Sequence, residues 1–269
     1  MYFLVNGNII DSKKFYTNIN GQGLNYGYGL FETLKFAGKK VFFIDEHFRR
    51  IVKGCHELNM NLKYDIREIQ EYLNKLILFT NTHSGALKIL YLKNNDKYDL
   101  IIIIKENRYV EKMYEDGFKI CLASSKRNPD SKLTYIKSNN YLENLLEKDN
   151  ALKQGYDEVV FLNTKNFISE GSYTNIFFIK GDKLYTPDIS CGLLPGIMRE
   201  KIILLINKLS LKLEIGNFCI EDLINADEVF LTNSLMEIMP VSKIKNKSFD
   251  LNNNKITKLL RKEFQNIYY

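Results

Sequence analysis

The chain has 269 residues, a formal charge of +6 from 38 Lys and Arg against 32 Asp and Glu, and a composition 45% hydrophobic and 26% charged. That length suits two domains of ordinary size, and the balance of apolar and charged residues excludes a disordered or fibrous chain. The lysines form no block of the kind a nucleic-acid-binding tail carries, and the four cysteines and three histidines are dispersed without a CxxC pair, so no metal site is expected. No run approaches the ~20 apolar residues of a membrane span, and the start MYFLVNGNII is too short and too polar for a secretory signal. These features lead to the expectation of a soluble, cytoplasmic protein with reduced thiols and a small anionic substrate, with neither nucleic acid nor membrane as partner.

Along the chain, Asn6-Gly7 predicts a hairpin turn. In GLFETLKFAGKKVFFI, alternation around small residues predicts two strands meeting near Ala37-Gly38. Asp45 is placed to cap a helix with Phe48, Ile51, Val52, Cys55 and Leu58 at three- and four-residue spacing. Asp65 is placed to cap another, with Ile66, Ile69, Leu73, Leu76 and Ile77 on one face. ALKILYL and LIIIIK predict strands joined by the polar loop KNNDKYD. Residues 1–107 thus form a small N-terminal α/β domain, and NRYVEKMYEDG has the composition of an interdomain linker, placed at 108–116. A larger C-terminal domain, 117–269, opens with the strand FKICLAS. It continues with a helix from about Asn139 to Gln154, the strands EVVFLN, FISE and NIFFIKGDKLYT, and a helix opened by Pro195-Gly196. The fold class is mixed α/β, or α+β, in two domains.

Several residues carry chemistry only in combination. Lys137, in LTYIKSNNYLENLLEK, follows a short apolar run and precedes Ser138 and two asparagines. LLPGIMREKIILLINKL sets Gly196 and Ile197 at a helix start, where unpaired N–H groups and the dipole favour an anion, although a proline-led start alone also explains the pattern. TNSLMEIMP offers the hydroxyls of Thr232 and Ser234, for a phosphate or for a turn. FISEGSYTNIFF places Glu170 at the end of one strand and Asn175 at the start of the next; the carboxylate is a solvated turn residue or, if buried, needs a cationic or protonated partner. EHFRRIVKGCHEL sets His47 and Arg50 one helical turn apart, and the arginine fork suits a surface or a phosphate. A lysine for a Schiff base, an acid for a pyridine nitrogen, and an arginine with a helix N-terminus for a phosphate are together what pyridoxal phosphate requires.

The order of the motifs VNG, YGYGLFET, HFRR, YIKSNNYLENLL, ISEGSYTNIFFIKGDKLYTP, LLPGIMR and TNSLMEIMPVSKI resembles the class IV aminotransferase family, the fold-type IV pyridoxal-phosphate enzymes, nearly end to end. The resemblance implies a two-domain fold like that of D-amino-acid aminotransferases, pyridoxal 5'-phosphate as cofactor, and a homodimer. It implies Lys137 as the Schiff-base lysine, Glu170 as partner of the pyridine nitrogen, and Arg50, Gly196, Ile197 and Ser234 as the phosphate site. Tyr141 falls near the cofactor ring and Asn175 beside the same site, while Tyr26, Phe31 and Thr33 of YGYGLFET line the substrate pocket.

Within the family, FET stands where branched-chain aminotransferases carry FEG, and the strand ALKILYL lacks the arginine and histidine on which the D-amino-acid enzymes rely. GIMR and TNSLMEIMPVSKI resemble the 4-amino-4-deoxychorismate lyase form. The resemblance therefore implies a lyase that forms 4-aminobenzoate, for folate, and pyruvate, with Lys93 or Lys97 in place of a carboxylate-binding arginine. An aminotransferase for branched-chain or D-amino acids shares Lys137 but requires a keto-acid acceptor. A basic polyanion-binding protein, the reading from another class, predicts salt-dependent retention on DNA and no chromophore.

Overall fold

The computed structural model describes residues 1–16 and 19–269, and the chain divides into two compact units. The first comprises Met1–Arg108 with Ile136–Tyr141, the second Tyr109–Tyr135 with Leu142–Tyr269.

In the first unit, β1 (Tyr2–Val5) and β2 (Asn8–Asp11) form a hairpin whose turn residues Asn6 and Gly7 both take positive φ, as the Asn-Gly pair predicts. A one-turn helix α1 (Gln22–Asn25) precedes β3 (Gly29–Ala37), β4 (Lys40–Val41), α2 (Ile44–Glu57) and α3 (Ile66–Thr80). The strands β5 (Ser84–Asn94) and β6 (Lys97–Lys105) follow. The sheet is antiparallel throughout in the order β2-β1-β6-β5-β3-β4. One face of β3 and β5, with Leu30, Leu34, Leu87, Ile89 and Tyr91, buries Ile51 and Cys55 of α2 and Ile69, Leu73 and Leu76 of α3.

Asp65 caps α3 through a full capping box with Glu68. The expectation that Asp45 caps α2 is corrected: the chain enters through Phe43 in the left-handed region, so Asp45 lies in the first turn, where it complements the helix dipole. The loop expected over KNNDKYD is corrected too, since cross-strand pairing continues to Asn94 and Lys97 and leaves a two-residue turn.

The second unit opens with α4 (Glu111–Asp116), a short helix in the segment read as a linker, and continues with β7 (Phe118–Arg127) and α5 (Leu142–Lys153). Next come β8 (Glu158–Asn163), β9 (Ile168–Gly171), β10 (Asn175–Lys180), β11 (Lys183–Pro187), α6 (Ile197–Lys208) and β12 (Lys212–Gly216). It closes with α7 (Ile220–Ile224), β13 (Glu228–Asn233), β14 (Glu237–Ile244), β15 (Lys247–Ser248) and α8 (Lys255–Tyr268). Its mixed sheet runs β12-β11-β10-β13-β14-β7-β8-β9, with β15 beside β14. The pairs β7/β8 and β11/β12 are parallel because α5 and α6 return the chain between them. This unit has its own core of Ile120, Val160, Ile176, Phe178, Val229, Leu231 and Met239.

The segment Ile136–Tyr141, expected in the C-terminal domain, belongs with the first unit. The cause is backbone pairing: Phe31 N–H donates to Lys137 O and Asn139 N–H to Gly29 O, both at 3.0 Å. Among the described residues no helix is long and apolar enough to cross a membrane.

Candidate active site

In the first unit, Leu30 and Ser138 face each other across an antiparallel bridge, which sets Lys137 opposite Phe31 with both side chains on one face. Close approach of the two strands is possible because residue 29 is glycine: a Cβ there would lie 2.7 Å from Tyr91 O and 2.9 Å from Asn139 Nδ2. Lys137 Nζ stands 4.3 Å from the centroid of the Phe31 ring and 5.5 Å from that of Tyr141, and the two rings meet edge to face at 5.1 Å. Lys88 Nζ lies 5.1 Å from the same Phe31 centroid, and its residue pairs directly with Thr33 on the β3/β5 ladder. Burial, and then the charge of Lys105, push the Lys88 ammonium below its usual pKa. The structure thus gathers Lys137, Phe31, Tyr141, Lys88 and Thr33 on one face, with two ammonium groups around one ring.

Lys88 was not among the residues expected at the site, although a lone lysine within the apolar run ALKILYL is a signal for it. Strand alternation sets Lys93 on the opposite face from Lys88, where its Nζ lies 4.5 Å from the Tyr28 ring centroid. Tyr26 closes α1 and is 73% exposed, and the structure does not bring it to the group around Phe31.

On the core face of β3, Glu32 is buried and holds the first and last residues of the HFRR motif, His47 and Arg50. Arg50 Nε–H donates to Oε1 and Nη2–H to Oε2, each at 2.6 Å, and His47 Nδ1 lies 2.6 Å from Oε2. Burial alone would raise the Glu32 pKa, but Arg50 and His47 outweigh it and hold the carboxyl at about 2. Burial pushes the His47 pKa down, so the neutral ring donates Nδ1–H to the ionised carboxylate. Its Nε2 is buried with no partner among the described residues. Arg50 is therefore a fixed, bidentate guanidinium and not a surface arginine.

In the second unit, Glu170 is buried at the end of β9, as the paired reading of that carboxylate required. Its Oε2 accepts the Leu194 N–H at 2.9 Å, and its Oε1 lies 3.3 Å from Arg127 Nε. The following turn is fastened by Asn144 Nδ2–H donating to Ser172 O at 2.6 Å and by Ser172 N–H donating to Glu158 Oε1 at 3.2 Å. Asn175 Nδ2–H donates to Leu194 O at 3.0 Å, which holds the approach to α6. Gly196 is the N-cap, without a side-chain cap bond, and a Cβ there would lie 1.9 Å from Asn175 Oδ1.

Thr232 pairs with Asn175 across β10 and β13, and its buried Oγ1 has no partner among the described residues. Ser234 stands two residues on, in a turn held by Asn233 Oδ1, which accepts the N–H groups of Leu235 and Met236, each at 2.9 Å. The segments carrying Glu170, Asn175, Gly196, Ile197 and Ser234 are therefore joined within this unit, through the Leu194 backbone and the pairing of Asn175 with Thr232. The glycine-shaped helix start and the orphaned hydroxyl fit a phosphate, and the buried carboxylate fits a protonated ring nitrogen.

A sequence model of the family described as Amino-transferase class IV matches residues 29–244. The chain belongs to the class IV aminotransferase family. This family member is 26% identical to the aminodeoxychorismate lyase of Bacillus subtilis (strain 168), over 98% of this chain and 95% of that protein. Among solved structures, the Escherichia coli branched-chain amino acid aminotransferase superposes with a TM-score of 0.93 at 26% identity, covering 99% of this chain and 94% of that one. A putative 4-amino-4-deoxychorismate lyase from Legionella pneumophila superposes at 0.87 with 27% identity, covering 95% and 97%. The class IV aminotransferase fold is thus shared by relatives named for both reactions.

Proposed function

We propose that this protein is a pyridoxal-phosphate-dependent 4-amino-4-deoxychorismate lyase, which releases pyruvate and leaves 4-aminobenzoate. The observation that carries the reading is the face of β3 and β5 around Phe31. There the half-buried Lys88 ammonium and the hydroxyl of Thr33, paired with it on the ladder, suit an anionic substrate, and the strand carries no arginine of the kind on which the D-amino-acid aminotransferases rely. The full-length similarity to a lyase supports the same reading.

When bound, pyridoxal phosphate supplies an aldehyde that captures an amine and a ring that accepts the electron pair of a broken C–H bond. Arg50, the N–H groups of Gly196 and Ile197, and the Ser234 hydroxyl would hold its phosphate. Glu170 would pair with its ring nitrogen, Tyr141 with its ring oxygen, and Asn175 would keep the approach to α6 in place. Lys137 would be its covalent anchor. Once freed, the Lys137 Nζ would take the proton from the carbon bearing the substrate's amino group and hand it to the departing enolpyruvyl group, which would leave as pyruvate while the substrate ring becomes aromatic. No amino acceptor is consumed. The setting we infer is folate synthesis in the cytoplasm, by a homodimer.

The test is reconstitution with pyridoxal phosphate and incubation with aminodeoxychorismate in the absence of any keto acid. Pyruvate and 4-aminobenzoate are expected in equal amounts, and neither with Lys137→Ala. A coloured, borohydride-sensitive protein that releases no pyruvate, yet transfers amino groups from branched-chain or D-amino acids to a keto acid, would replace the lyase with an aminotransferase.

A further inference from the structure

Arg127 ends β7 in a setting that folding alone does not require. It is 7% exposed, its Nη1–H donates to Glu143 Oε2 at 2.9 Å, and its guanidinium carbon lies 3.8 Å from the centroid of the Phe161 ring. Its Nε faces Glu170 Oε1 at 3.3 Å as an ion pair without a hydrogen bond. Burying a guanidinium carries a desolvation cost that its partners roughly offset, and an apolar side chain of similar size serves stability as well. The arginine is therefore to be explained by what it does to Glu170.

We infer that Arg127 is a positioning residue that keeps Glu170 ionised and fixed in place, so that the proton shared between Glu170 and the cofactor's ring nitrogen resides on nitrogen. The inference rests on the reading of Glu170 given above. A buried carboxylate and a pyridine nitrogen share one proton, and away from water the neutral arrangement, with the proton on oxygen, is favoured unless the carboxylate charge is stabilised from elsewhere. Arg127 supplies that stabilisation at one oxygen, and the Leu194 N–H at the other. Glu143 and the Phe161 ring hold the guanidinium from two other directions, so it cannot turn away. The guanidinium lies directly against the Glu170 carboxylate, and a cation at that distance favours its ionised form.

The holoenzyme loaded with isotope-labelled pyridoxal phosphate reports the proton directly, through the nitrogen NMR shift of the ring. In the wild type the resonance is expected at the protonated position from mildly acidic to mildly alkaline pH. Arg127→Met should move it toward the unprotonated position, Arg127→Lys should restore it, and Glu170→Gln should move it as well. If Arg127→Met does not fold, Arg127→Gln, polar but uncharged, should show the same displacement. A resonance that stays protonated in the uncharged variants but moves in Glu170→Gln overturns the role of Arg127 while keeping Glu170 at the ring. One that does not move in Glu170→Gln removes Glu170 from the ring, and with it the basis of the inference.

Discussion

Glu32 shows how a single buried carboxylate can orient a binding residue. With Arg50 bound through two nitrogens and His47 through a third, it fixes the guanidinium that we assign to the phosphate. Its folded pKa, about 2, lies well below the ordinary value of 4.5. The contribution to stability is therefore complete above the ordinary carboxylate range and is lost as pH falls through the folded value; a shift of this size corresponds to roughly 3 kcal/mol. Glu32→Gln should lower the unfolding free energy at neutral pH, and its deficit in urea titrations should shrink as pH falls through the carboxylate range. A deficit independent of pH would show that the cost is packing and not charge. At the substrate face, Lys88→Met should raise the KM for aminodeoxychorismate about tenfold, the loss expected for one charge-assisted contact. Lys93→Ala, on the opposite face, should leave it unchanged. Steady-state kinetics on the two variants separates them, and the reverse order would return the substrate contact to Lys93.

At the scale of elements, the start of α6 is shaped by the absence of a side chain at Gly196. Gly196→Ala would drive a methyl into Asn175 Oδ1 and displace the amide that holds Leu194. Losing that bond and the open helix start should weaken pyridoxal-phosphate binding about tenfold in an absorbance titration, the equivalent of one hydrogen bond. Unchanged affinity would mean that the phosphate does not sit on α6.

How much of this was legible in the sequence depends on the range of the interactions. The Asn6-Gly7 turn, the Asp65 cap and the apolar stripe of α3 are local patterns, and each appears where its pattern placed it. The entry to α2 was not readable, because Phe43 adopts a left-handed backbone that bulky residues rarely take, and α4 was hidden in a polar segment without apolar periodicity. The attachment of Ile136–Tyr141 to β3 spans more than a hundred residues of chain and has no local signature. For the same reason the motifs could name Lys137, Arg50 and Glu170 but not Glu32, Lys88 or Arg127, whose importance comes from which strand face they share and with whom.

At the scale of the whole molecule, each unit has its own hydrophobic core, and each carries its own group of candidate residues: Lys137, Arg50 and Tyr141 belong to the first, Glu170, Asn175, Gly196, Ile197 and Ser234 to the second. A ligand that binds only the folded chain stabilises it by mass action, by about 2.7 kcal/mol at a hundredfold excess over its dissociation constant. Pyridoxal phosphate should therefore raise the unfolding midpoint in proportion to the logarithm of its concentration. Pyridoxal, without the phosphate, should raise it less at equal concentration, because the contacts with Arg50, α6 and Ser234 are lost. Lys137→Ala should retain the part of the shift that the phosphate supplies while losing the borohydride-sensitive colour. If pyridoxal and its phosphate stabilise equally, the phosphate contacts are wrong even where the lysine is right. If Lys137→Ala keeps the colour, the lysine is wrong even where the phosphate contacts are right, so scans of two ligands against two proteins test the halves of the assignment separately.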